Sequence, residues 1–169
     1  HQNKSLNWKV TLVDTGLETM TGGRLKRLRN HLSEETFMLT YGDGLANINI
    51  KSLLEFHNNH KKMVTMTAVR PPARFGELEL KSNLVKSFKE KPQLNDGWIN
   101  GGFFVMEKKF IDFIKDDTQM LEREPLEEIT RINQLMAFRH EGFWQCMDNK
   151  RDLEKLKYLW KTNPPWILN

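Results

Sequence analysis

Apolar residues along the chain change their period several times, and each change predicts an element. Trp8–Asp14 alternates, with Val10, Leu12 and Asp14 on one side, which predicts a strand. Gly22-Gly23 then open a stretch in which Leu25, Leu28 and Leu32 recur at spacings of three and four. This is the pattern of an amphipathic helix, whose other sides carry Arg24, Lys26, Arg27 and Arg29. Thr36–Tyr41 is short and mostly apolar, as a buried parallel strand would be, and it ends abruptly in Gly42-Asp43-Gly44. Ser52 is placed to cap a helix carrying Leu53, Leu54 and Phe56, with Glu55 at capping-box spacing. Met63–Val69 predicts another buried strand, stopped by Pro71-Pro72.

The second half is more antiparallel in character. Glu77–Leu80 and Val85–Phe88 predict a hairpin about Ser82-Asn83, and Trp98–Met106 a strand interrupted by Gly101-Gly102. Helices over Lys108–Ile114 and Pro125–Ile132 follow, then strands over Leu135–Arg139 and Phe143–Met147. The tail predicts a helix over Asp152–Lys161 with Leu153, Leu156, Leu159 and Trp160 facing inward. Strands alternating with helices through the first seventy residues call for parallel pairing and right-handed crossovers, while the later hairpin adds antiparallel edges. The fold class expected is α/β, a mixed and mostly parallel sheet flanked by helices. No repeat or linker divides the chain, so residues 1–169 are expected to form one unit.

Composition changes this picture little. A chain that is 38% hydrophobic and 28% charged is neither collagen-like, low-complexity nor disordered for most of its length. No apolar run approaches the roughly 18 residues that a membrane span needs, so no membrane partner is expected. The one cysteine, Cys146, excludes an internal disulfide and fits a reducing, cytoplasmic setting. With 26 basic and 22 acidic residues the net charge is +4, a mild excess suited to handling phosphates. The chain opens on His1 rather than Met, and upstream sequence is expected to be missing.

Candidate chemistry gathers at predicted strand ends, where open α/β sheets bind ligands. Asp43 leaves one such end between two glycines that permit a sharp turn, and a carboxylate there suits magnesium; a plain turn aspartate has the same local sequence. Asp148 ends Phe143–Met147 and can close the same metal site or cap the last helix. In Phe88-Lys89-Glu90-Lys91-Pro92, Glu90 suits sugar hydroxyls and Lys91 a phosphate, although a charged edge strand reads alike. Asn100-Gly101-Gly102 inside an apolar strand implies close approach by a ligand or by another backbone. Thr21-Gly22-Gly23-Arg24 places free amides at a helix start, suited to an anion or a base edge, but no GxxxxGK[ST] P-loop occurs. His57 and His60 lack a Cys or acidic partner at metal-ligand spacing and are expected to be exposed polar residues.

Thr11–Gly16 (TLVDTG), Thr21–Arg27 (TGGRLKR), Tyr41–Gly44 (YGDG), Arg74-Phe75-Gly76, Phe88–Pro92 (FKEKP), Ile99–Val105 (INGGFFV) and Phe143–Asp148 (FWQCMD) occur in a telling order. Through them the chain resembles the glucose-1-phosphate cytidylyltransferases of the sugar-nucleotidyltransferase superfamily, from about Trp8 to Trp166. The resemblance implies a Rossmann-like, glycosyltransferase-A-like fold. It also implies conversion of glucose 1-phosphate and CTP to CDP-glucose and pyrophosphate, with Mg2+ as cofactor and a homo-oligomer as the usual assembly. Asp43 and Asp148 match the metal carboxylates, with Gly42 beside the nucleotide. Glu90, Asn100, Gly101 and Gly76 match the glucose pocket, and Lys91 the lysine on the sugar phosphate. Thr21, Gly22, Gly23 and Arg24 match the segment around the base.

The family's glycine-rich GGxGTR loop and KPKPM stretch, which wrap the triphosphate, do not occur in these residues. The expectation is that residues 1–169 are the C-terminal two-thirds of one nucleotidyltransferase domain, inactive alone. A non-catalytic structural or regulatory subunit is the alternative. An RNA-binding module is disfavoured, and no nucleic-acid partner expected, because Asn100–Glu107 meets the RRM signature only at Gly101, Phe104 and Val105.

Overall fold

The computed structural model describes residues 8–71, 77–89 and 97–167. Along the chain these form α1 (Thr21–Arg27), β1 (Thr36–Thr40), β2 (Gly44–Ala46), α2 (Ile50–His60), β3 (Val64–Val69), β4 (Glu77–Lys81), β5 (Leu84–Lys89), β6 (Ile99–Glu107), α3 (Glu124–Arg131), β7 (Leu135–His140), β8 (Trp144–Cys146) and α4 (Lys150–Thr162). Short 3-10 turns follow α1 and β6.

The main sheet has four strands in the order β1-β6-β3-β7. β6 runs antiparallel to both β1 and β3, and β3 pairs parallel with β7, so β1, β3 and β7 point one way and β6 the other. The mixed sheet expected from the sequence is present, but not its parallel majority: among the described strands only β3 and β7 pair in parallel. β1, expected as a buried parallel strand, is a partly exposed edge paired antiparallel with β6. The crossover β1-α2-β3 does return the chain in the same direction, but β6 is inserted between its two strands.

Alternation along β6 builds a core on each face. Phe104 and Met106 point into a cluster with Leu25, Val64, Phe110, Leu126 and Ile129, beneath α1 and α3. Val105, with the partly buried Phe103, faces Ile48 and Leu53 beneath α2. β3, covered on both faces, carries Val64, Thr65 and Thr67 with no exposed surface. Two small two-stranded sheets, β2-β8 and β4-β5, lie outside this frame. The first of them makes the site.

Several local expectations are corrected. Trp8–Asp14 forms no strand, and Trp8 and Leu12 are 75% and 92% exposed. Alternation yields a strand only where a second strand completes the ladder, and among the described residues none pairs with this stretch. Its end is instead held by α1, since Arg24 donates to Thr15 Oγ1 (2.7 Å) and the Leu17 carbonyl (3.1 Å). Asn49, not Ser52, caps α2, its side chain accepting from the Ser52 amide at 3.0 Å. Trp160 is exposed and stacks on Trp166, with ring centroids 6.4 Å apart.

His57 is 2% exposed, not a surface residue. Its hydrogen bonds tie α2 to the sheet, with Nδ1 2.8 Å from Thr65 Oγ1 and Nε2 3.1 Å from Glu107 Oε1. His60 Nε2 lies 2.7 Å from the same Thr65 oxygen, while its Nδ1 accepts the Lys62 amide at 2.9 Å. That last bond decides the tautomers. Neutral His60 carries its proton on Nε2 and donates to Thr65, whose hydroxyl can then donate to His57 Nδ1, leaving His57 Nε2–H for Glu107.

Candidate active site

The chain turns sharply after β1, and β2 leaves that turn to pair antiparallel with β8, Gly44 opposite Cys146. Continuing this register by one residue, the Met147 amide donates to the Asp43 carbonyl at 2.9 Å. Asp43 and Asp148, 105 positions apart in sequence, therefore flank one two-stranded ribbon. Asp43 is exposed, and a Cβ built on Gly42 would meet no atom within 4 Å, so the turn itself is uncrowded. Asp148 accepts from the Cys146 thiol (3.3 Å), and its amide donates to Asp152 Oδ2 (3.3 Å). The alternative role of Asp148 is excluded, because the cap of α4 is Asn149, which accepts from the Asp152 amide at 3.1 Å.

A glycine bulge in β6 joins this ribbon to the main sheet. Between the pairs Met66–Phe104 and Ala68–Asn100, β3 advances two residues while β6 advances four. Gly101 and Gly102 take up the excess. Gly102 sits at φ +78°, in the left-handed region that favours glycine, and a Cβ there would lie 2.8 Å from Cδ2 of Tyr41. A Cβ on Gly101 would lie 2.8 Å from Val69 Cγ1 and 3.0 Å from the Thr67 carbonyl oxygen. The close approach expected of this glycine pair is thus made by neighbouring protein. The carbonyls turned out of the ladder are taken up: Gly101 O accepts Trp144 Nε1–H at 2.8 Å, and Gly102 O accepts the Tyr41 amide at 3.0 Å.

Asn100 precedes the bulge and is half-buried. Its Oδ1 accepts the Gly102 amide (2.8 Å) and its Nδ2 donates to the Tyr41 hydroxyl (3.2 Å). Tyr41 in turn donates to Glu122 Oε1 at 2.5 Å. Burial, then the Glu122 carboxylate, push the Tyr41 phenol well above its ordinary value, so it remains a neutral donor. The other oxygen of Glu122 accepts from Thr21 Oγ1 at 2.8 Å. Asn100, Glu122, Leu126 and Thr130 line a groove of about 550 Å³.

At the start of α1 the amides are not free as expected. Gly22 N–H donates to the Gln119 carbonyl (3.1 Å), and the Leu121 amide donates to Thr21 Oγ1 (2.9 Å). A Cβ at Gly22 or Gly23 would drive into the backbone of Gln119 or Asp117. These two glycines let the 117–121 segment pack against the helix, and the Arg24 guanidinium holds the preceding loop. Gly76, Glu90 and Lys91 lie outside the described residues. The structure therefore places Asp43 and Asp148 at the same end of one ribbon, and links Asn100 and Thr21 into one bonded chain with Tyr41 and Glu122. Sequence reasoning passed over Tyr41, Glu122 and Trp144. Trp144 had a signal, an aromatic with a polar N–H beside a glycine-broken strand, whereas Glu122 sits in a run of charged residues that hides it.

No group of three or more His, Cys, Asp or Glu side chains among the described residues is placed to hold a metal. Two carboxylates from adjoining turns, one on an uncrowded turn, are what remains, and they suit an ion that takes its other ligands from phosphate and water. The donor chemistry of Asp43 and Asp148 suits a divalent cation.

The family pattern described as Nucleotidyl transferase matches residues 9–165. The chain belongs to the nucleotidyl transferase family. This nucleotidyl transferase chain is 48% identical over 168 residues to the glucose-1-phosphate cytidylyltransferase of Salmonella typhimurium, a match covering 98% of the chain and 65% of that protein. The Salmonella typhi enzyme of the same name gives the same identity and coverage. The chain thus spans 65% of the length of these curated relatives. Among solved structures, HddC from Yersinia pseudotuberculosis superimposes with a TM-score of 0.71 at 22% identity, over 94% of this chain and 70% of that one. That likeness shows a shared fold. No helix among the described residues is long and apolar enough to cross a membrane.

Proposed function

We propose that this chain forms the sugar-phosphate and metal-binding part of a glucose-1-phosphate cytidylyltransferase, which joins glucose 1-phosphate to CTP with release of pyrophosphate. One observation carries the reading: a chain 48% identical to the Salmonella enzyme gathers Asp43 and Asp148 on one ribbon, bonded through Trp144 to the bulge that holds Asn100. A phosphate oxygen of the sugar phosphate attacks the α-phosphorus of CTP in line, and pyrophosphate leaves with the electron pair of the broken P–O bond. Both reactants are anions, so catalysis is chiefly positioning and charge neutralisation. Bound Mg2+ supplies that neutralisation at the α-phosphate.

Asp43, on its open turn, and Asp148, whose backbone amide donates to Asp152 Oδ2, would hold the ion. Asn100 orients the sugar, with Gly101 keeping the strand close beneath it. Glu90 and Gly76 are assigned to the sugar hydroxyls and Lys91 to its phosphate. Gly42 leaves room for the nucleotide, and Thr21, Gly22, Gly23 and Arg24 shape the wall nearest the base. Assembly as a homo-oligomer and a cytoplasmic setting belong to the same reading.

The test compares wild type with Asp43→Asn. Calorimetric titration of the chain is expected to show glucose 1-phosphate binding nearly equal in both, while Mg2+-dependent CTP binding is lost in the variant. The 169-residue chain, having no GGxGTR or KPKPM stretch, is expected to release little pyrophosphate. Mg2+-dependent CTP binding that survives Asp43→Asn undamaged overturns the metal assignment, and normal turnover by the isolated chain overturns the division of labour.

A further inference from the structure

Asn100 has two polar ends on a half-buried amide, and which end meets a sugar decides what the pocket recognises. The hydrogen bonds around it leave no freedom. An ionised carboxylate only accepts, so the Tyr41 hydroxyl must spend its proton on Glu122 Oε1 at 2.5 Å. Its oxygen then accepts, and the group 3.2 Å away on Asn100 must be the NH2 end. The backbone agrees independently, because the Gly102 amide can only donate and lies 2.8 Å from Oδ1. Tyr41 itself cannot swing away. Its amide is bonded to Gly102 O at 3.0 Å, and its ring meets Phe104 edge-on with centroids 5.7 Å apart. Glu122 is also tethered from the other side by Thr21 Oγ1.

From this we infer that Glu122, acting through Tyr41, is a positioning residue that locks the Asn100 amide so that its second N–H is presented as a donor to a sugar hydroxyl oxygen. The inference rests on the functional reading above and extends it from a residue assignment to a polarity. Neither Glu122 nor Tyr41 is assigned to the reacting phosphates. Their effect is confined to the sugar side of the groove, which Asn100 and Glu122 both line.

Replacing Glu122 by Gln puts a donor where only acceptors stood. If the Gln NH2 faces Tyr41, the phenol turns its proton toward Asn100. The amide must then flip, and Nδ2 confronts the Gly102 N–H. Tyr41→Phe removes both bonds and leaves the amide held by the Gly102 N–H alone. Wild type, Glu122→Gln, Tyr41→Phe and Asn100→Ala are to be titrated with glucose 1-phosphate and, as a reference, with CTP in the presence of Mg2+. Each variant is expected to bind glucose 1-phosphate about 10-fold more weakly, the loss of a roughly 1.4 kcal/mol hydrogen-bonding contribution. CTP affinity is expected to stay within about two-fold. Adding Tyr41→Phe to Asn100→Ala should cost almost nothing more, since both act through one amide.

Glucose 1-phosphate affinity unchanged in Glu122→Gln and Tyr41→Phe overturns the inference while leaving the functional reading intact. A parallel fall in CTP affinity overturns it as well, because that is the signature of a merely structural role. Should wild type bind no glucose 1-phosphate, the functional reading fails and this inference with it.

Discussion

Gly102→Ala puts the bulge to the hardest test. Alanine at φ +78° carries a backbone penalty of about 1–2 kcal/mol. Its Cβ would also lie 2.8, 3.3 and 3.5 Å from Cδ2, Cγ and Cβ of Tyr41, at the root of the ring rather than at a flexible tip. Relief by moving Tyr41 is blocked, since that residue is tied by its amide to Gly102, by its hydroxyl to Glu122 and Asn100, and by its ring to Phe104. Overpacking of this kind costs about 1–3 kcal/mol. The sum is about 3 kcal/mol, which for a domain of this size lowers Tm by roughly 6–12 °C. Urea unfolding followed by fluorescence measures it, with Gly42→Ala as the control. Gly42 has no positive φ and no atom within 4 Å of its added methyl, so its substitution is expected to shift stability by less than about 0.5 kcal/mol. A Gly102→Ala loss no larger than that of Gly42→Ala refutes the steric argument.

Trp144→Phe leaves the Gly101 carbonyl without its 2.8 Å donor and is expected to cost about 1–2 kcal/mol in urea unfolding; an unchanged midpoint shows that the bond contributes nothing. Acid should weaken the clasp between α2 and the sheet. Burial, then the neighbouring His57 and Lys62, hold His60 below its ordinary 6.5, so the unfolded chain binds the extra proton first. Its contribution is therefore complete above pH 6.5 and is lost as pH falls through the lower folded value. Glu107 acts in the same sense further down: burial raises it, but the bonds from His57 and Thr36 and the charge of Lys109 outweigh that and hold it below 4.5. The urea midpoint is expected to fall between pH 7.5 and 5.5, and the fall to shrink in His60→Gln; an equal fall in that variant removes His60 from the account.

The reach of sequence reasoning here follows the range of the interactions involved. Element type depends on neighbours a few residues apart, so apolar periodicity located the hairpin at Ser82, where φ is 54°, and the helices α1 to α4 within a few residues. The glycine pair in β6 was legible as a close approach, because only the lack of a Cβ explains glycine there. Asp43 and Asp148 stood out through their setting at strand ends. What the local pattern could not supply was partnership. Trp8–Asp14 alternates as a strand does yet finds no ladder, and His57 looks like any helix-surface polar residue until Thr65 and Glu107 are found beside it.

The sequence by itself thus determined the α/β class, most of the helices and strands and the residue types available for phosphate and metal chemistry, since these rest on periodicity, turn chemistry and composition. Tertiary structure alone decided that β6 lies antiparallel between β1 and β3, and that β2 pairs with β8 so that residues 43 and 148 share one ribbon. It alone decided that Glu122 reaches Asn100 through Tyr41. Strand register and long-range hydrogen bonds are settled jointly by segments 59 to 102 residues apart, and no local pattern encodes which partner will satisfy a given donor.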